Sequence, residues 1–93
     1  MRISLQERDA IKESVHGRDP NAQVYLFGSR VDDTKQGGDI DLLILSRTIE
    51  PGDKSSIRRD ICEKIGWQKI DIVIAKDTTE AFVRIALAEG ILL

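Results

Sequence analysis

Asp39-Ile40-Asp41-Leu42-Leu43-Ile44-Leu45 is the stretch on which the fold turns. In an extended chain successive side chains point to opposite faces, so Ile40, Leu42 and Ile44 share one face while Asp39, Asp41, Leu43 and Leu45 share the other. The same alternation returns in Lys69-Ile70-Asp71-Ile72-Val73-Ile74-Ala75, with three isoleucines on one face and Asp71 and Val73 opposite. Both stretches read as half-buried strands. Each carries aspartate where a strand interior normally takes a β-branched or aromatic residue, which requires a reason.

Working outward, residues 22–27 (AQVYLF), entered through Asp19, Pro20 and Asn21, form the first strand, which ends at Gly28 and gives way to a polar loop reaching Gly38. Before it, Ser4 followed by Glu7 is a capping box that opens a helix closed at Gly17, where a positive φ is expected. Between the two aspartate strands, Pro51, Gly52 and Asp53 introduce a helix with Ile57, Ile61 and Ile65 at every fourth position and Gly66 as its C-terminal cap. After the last strand, Asp77, Thr78 or Thr79 caps a helix carrying Phe82, Val83, Ile85 and Ala86, closed near Gly90 before an apolar tail. The order α-β-β-α-β-α predicts an α/β domain spanning residues 1–93, a small sheet covered by helices, with no internal repeat or linker.

Composition narrows the function. At 93 residues the chain has room for one site and little else. Its 41% hydrophobic and 32% charged residues, with few aromatics, suit a soluble domain with an aliphatic core. A net charge of −2 offers no excess of cations to hold a long polynucleotide by counterion release. Arg2, Glu7, Arg8 and Asp9 near the start and the short apolar runs argue against a secretory signal or a membrane span, so a cytoplasmic location is expected. Cys62 stands alone and reads as an inert thiol in a helix.

The chemistry sits on the aspartates. Asp39 and Asp41 lie about 7 Å apart at Cα on one strand, and a neighbour about 4.8 Å away can bring Asp71 beside them. Clustered carboxylates repel unless a cation neutralises them, and an all-oxygen set that leaves positions for water and phosphate suits Mg²⁺. Two such ions would activate an acceptor hydroxyl and stabilise departing pyrophosphate. Just upstream stands Phe27-Gly28-Ser29-Arg30. Glycine admits close backbone approach, amide N–H groups and the Ser29 hydroxyl donate to anions, and the Arg30 fork matches phosphate. Neither the P-loop pattern nor the Rossmann glycine pattern occurs.

These residues, Gly28, Ser29 and Arg30, then Gly38-Asp39-Ile40-Asp41-Leu42-Leu43-Ile44, then Ile70-Asp71-Ile72-Val73, resemble the DNA polymerase beta-like nucleotidyltransferase superfamily. Within it they are similar to the minimal nucleotidyltransferases that accompany HEPN-domain toxins in prokaryotic toxin–antitoxin pairs. The resemblance covers nearly the whole chain and implies a mixed, polymerase beta palm-like sheet. It implies that Gly28 and Ser29 hold a triphosphate, that Asp39 and Asp41 bind the metals, and that Asp71 completes the site and can act as base. It further implies transfer of AMP from ATP onto a tyrosine of a partner toxin, with an antitoxin role. The interval from Ser29 to Asp39 is one residue shorter than the commonest family spacing, a difference absorbed by the loop. The larger relatives' substrate-recognition domains have no counterpart here, so a partner protein is expected to complete the cleft.

Other residues read as structural. His16 suits a helix C-terminus, Trp67 and Tyr25 read as packing or interface residues, and Arg58 and Arg59 as surface charges. Asp32, Asp33 and Lys35 read as solvated loop charges, whereas Lys69 shares a face with Asp71 and can pair with it or touch phosphate. Two rival functions remain in view: a binding module that neutralises a toxin by occlusion with a vestigial metal site, and a stand-alone small-molecule nucleotidyltransferase.

Overall fold

The computed structural model describes residues 2–32 and 38–93. Helix α1 spans Leu5–His16, strand β1 Gln23–Phe27, a 3₁₀ turn Gly28–Val31, and strand β2 Ile40–Leu45. A second 3₁₀ turn, Pro51–Asp53, leads into α2 (Lys54–Ile65), followed by β3 (Ile70–Ala75), α3 (Ala81–Glu89) and a short β4 (Ile91–Leu92). The expected helix and strand order is present, with one strand added at the end. The sheet is mixed and runs β3-β2-β1-β4; β1 is antiparallel to both β2 and β4, while β2 and β3 are parallel.

The period-2 alternation assigns each face of the sheet its own cover. Val24, Leu26, Ile40, Leu42, Ile44, Ile70 and Ile72 point to one side, where Ile11 and Val15 of α1 and Ile57 and Ile61 of α2 meet them in the main core. On the other side Leu43 packs with Val83 and Ala86 of α3, bordered by Tyr25, Phe27 and Val73. Helices α1 and α2 are also tied together by charge: Arg18 donates to Asp60 at 2.7 Å and to the Ser14 carbonyl at 2.8 Å. Ile57 is fully buried. Truncating it to alanine is expected to cost about 2–5 kcal/mol, a large share of the stability of so small a domain, measurable by urea unfolding.

The caps match expectation in part. Ser4 and Glu7 form the reciprocal box, Ser4 Oγ accepting from Glu7 N at 3.0 Å and Glu7 Oε1 from Ser4 N at 2.8 Å. Gly17, however, is right-handed (φ −65°), and the helix is closed by its N–H donating to Glu13 O. The last helix starts later than expected, at Ala81 after Glu80. Asp77 is not its cap, because the Asp77 carboxylate accepts from Thr79 N and Oγ1 in a local turn. The apolar tail becomes β4, with Leu93 N donating to Val24 O at 2.9 Å. Where β1 begins and β2 ends, Asp19 accepts from Ser46 Oγ at 2.6 Å and from Asn21 N. These two bonds hold its carboxyl below the usual carboxylate range.

Among the described residues no helix is long and apolar enough to cross a membrane.

Candidate active site

The sheet register assembles the site. Asp41 is the parallel partner of Asp71 on β3 and the antiparallel partner of Phe27 on β1, so Phe27, Asp41 and Asp71 form one row across three strands. This is the face that α3 covers only in part. Asp41 is half-buried and Asp71 exposed, and the two carboxyls come within hydrogen-bonding reach of each other. Burial, then the charges of Asp71 and Asp39, push the Asp41 carboxyl above the usual carboxylate range, with Lys69 opposing them.

Asp39 sits just before β2, and its neighbour Ile40 donates its N–H to Lys69 O at 3.1 Å. The carboxylate of Asp39 is paired with Lys69 Nζ at 3.4 Å, both groups partly exposed. The lysine's partner is therefore Asp39, which lies across from it just before the neighbouring strand, where sequence reading offered Asp71 or phosphate. Among the described residues no three acidic, histidine or cysteine side chains converge closely enough to hold a metal ion together. The donor set nonetheless suits a hard divalent cation. All its donors are carboxylate oxygens, and the upward push on Asp41 is a charge conflict that a cation would relieve.

The Gly-Ser turn lies against this row. Gly28 has φ +75°, and a Cβ there would overlap the Asp41 carboxylate. Glycine thus lets the acidic side chain rest directly on the turn's backbone. Gly38 plays the matching part on the far side of the loop, where a Cβ would overlap Ser29 Oγ. Arg30 does not reach outward: its Nε donates to Gly38 O at 3.2 Å and its Nη1 to Arg2 O at 2.9 Å. Asp32 is exposed and closes the 3₁₀ turn, its N–H donating to Ser29 O, whereas Asp33 and Lys35 lie outside the described residues.

Two contacts had no signal in the sequence. Phe82 of α3 meets Phe27 edge to face, ring centroids 5.9 Å apart, and forms an apolar border at the end of the acidic row. Arg2 donates to Ser29 O and Asp32 O, binding the N-terminal segment to the turn. Both join residues far apart in the chain, beyond the reach of periodicity or spacing.

The residues set aside are placed elsewhere. His16 Nε2 lies 3.0 Å from Ala22 O. Arg58 is more than a surface charge, since its Nε donates to Ile70 O at 2.8 Å and covers a carbonyl on the outer edge of β3. Trp67 is 84% exposed and hence not a packing residue, and Cys62 is half-buried with its thiol toward Gln68 O. A hollow of about 470 Å³, bounded by Asp19, Gln23, Leu45, Ser46, Arg47 and Lys76, lies at the opposite end of the strands and touches none of the three aspartates. Along the acidic row Asp71 is exposed and Asp39 and Asp41 are half-buried.

A comparison with curated proteins finds no match for this sequence. The family profile described as Polymerase beta, Nucleotidyltransferase matches residues 9–93, which takes in the turn, all three aspartates and α3 and leaves Arg2 and Ser4 outside. With the acidic row, the adjoining Gly-Ser turn and a match over most of its length, the chain belongs to the polymerase beta nucleotidyltransferase family.

Proposed function

We propose that this nucleotidyltransferase moves AMP from ATP onto a tyrosine hydroxyl of a partner HEPN-domain toxin and thereby acts as its antitoxin. The observation that carries the reading is the parallel pairing of Asp41 with Asp71 directly beside Gly28. Asp39 and Asp41 would hold magnesium, and Gly28 and Ser29 would seat the triphosphate. When bound, magnesium supplies positive charge against the phosphate oxygens and the departing pyrophosphate.

The remaining work falls to the chain. The acceptor oxygen forms a bond to the α-phosphorus as the bond from that phosphorus to the bridging oxygen breaks, releasing pyrophosphate. Asp71, exposed next to Asp41, is placed to accept the acceptor's proton. Ser29 and the backbone N–H groups of the turn orient the phosphates, while Arg30 ties the loop end at Gly38 to Arg2. The exposure of Asp71 favours a macromolecular acceptor over a small molecule, which would need to be surrounded.

The rival reading, neutralisation by occlusion alone, draws on the pairing of Asp39 with Lys69. Intact-mass measurement of the co-expressed partner separates the two. The expected result is addition of AMP to the partner, dependent on magnesium and ATP; a stable complex with an unmodified partner would leave occlusion standing.

A further inference from the structure

We infer that Arg2 is a positioning residue for the triphosphate seat, bracing the Gly28–Ser29 turn from behind. The inference rests on the assignment of that turn to the triphosphate. Arg2 Nη2 donates to Ser29 O at 2.8 Å and Nε to Asp32 O at 2.9 Å, so one guanidinium spans the start and the end of the turn. The Arg2 main chain joins in, its N–H donating to Arg30 O at 2.7 Å and its carbonyl accepting from Arg30 Nη1 at 2.9 Å. Arg30 in turn donates to Gly38 O, so the two arginines link the N-terminal segment, the turn and the approach to β2.

The effect on the turn follows from peptide geometry. In a planar trans peptide the carbonyl oxygen and the next N–H point in opposite directions. Holding Ser29 O against Arg2 therefore fixes the Arg30 N–H toward the other side of the turn. The same pin limits the swing of Ser29, whose Oγ rests on the bare Cα of Gly38. Only a planar fork can serve both carbonyls at once; a lysine ammonium keeps the charge but not the geometry. Arg2 lies before the stretch that matches the family profile, residues 9–93.

The test compares wild type, Arg2→Ala and Arg2→Lys by calorimetric titration with ATP in the presence of magnesium, alongside amide hydrogen exchange. Arg2→Ala is expected to weaken ATP binding about tenfold, the scale of losing hydrogen bonds from a charged donor. Residues 28–31 should exchange faster while β1 and β2 stay protected. Arg2→Lys is expected to keep most of the defect. Full recovery with lysine, or unchanged ATP affinity in Arg2→Ala, overturns the inference. Faster exchange at 28–31 together with unchanged affinity overturns positioning while sparing the assignment of the turn. Wild-type protein that does not bind ATP at all overturns that assignment, and the inference with it.

Discussion

The Asp39→Asn, Asp41→Asn double variant will lose nucleotidyl transfer by at least about a thousandfold while melting no earlier than the parent. Several kcal/mol of charge stabilisation depend on the carboxylates that would hold magnesium, and each 1.4 kcal/mol or so is worth about a factor of ten in rate. Asparagine retains shape and one oxygen but not the negative charge. Stability should not suffer. Asp41 faces Asp71 in register with its carboxyl already pushed up by burial and neighbouring charge, so a neutral amide removes repulsion. Replacing Asp39 gives up only a partly exposed pair with Lys69, a contact worth little. Transfer assays with radiolabelled ATP, read beside thermal melts, check both halves. Retained transfer would sink the assignment of these aspartates, and a collapsed melt would mean that their role is structural.

Gly28→Ala will cut transfer by about a hundredfold through displacement of Asp41, since misplacing a reacting group by about 1 Å carries a penalty of that order. A methyl group at this position overlaps the Asp41 carboxylate, and φ +75° is itself unfavourable for a residue with a Cβ, by about 1–2 kcal/mol. Gly66 supplies the control. It has φ +86° at the end of α2, with open space around a built Cβ, so Gly66→Ala carries the backbone penalty without the clash. Both variants should lose stability in urea titrations, but only Gly28→Ala should lose transfer. Equal loss of transfer in the two would assign the effect to general destabilisation.

The acidic row was legible because strand periodicity is a strong signal. Isoleucine at alternate positions of two segments marked one buried face each, and aspartates interrupting the other face marked where chemistry displaced packing. The parallel register that sets Asp41 beside Asp71 is consistent with that reading. What escaped was decided by contacts across long stretches of chain or by very short elements. The two-residue β4 is too brief to show alternation and exists because its backbone pairs with Tyr25 and Leu26. Lys69 pairs with Asp39 rather than Asp71, since the parallel register that matches Ile40 with Ile70 sets the residues just before the two strands side by side. Asp77 looked like a helix cap, yet a hydroxyl two residues on offered it a nearer partner. Arg30, which the sequence presented as a phosphate ligand, also donates from Nε and Nη1 to carbonyls that no local pattern could reveal.

Strand β3 is the outermost member of the sheet on its side, and Asp71 stands exposed upon it. Among the described residues no further strand lies beyond it, so the proposed acceptor would meet this carboxylate at the margin of the sheet. A protein acceptor of the kind proposed would then be selected by the fit of its surface to this edge, which makes the choice of target separable from the chemistry performed on it.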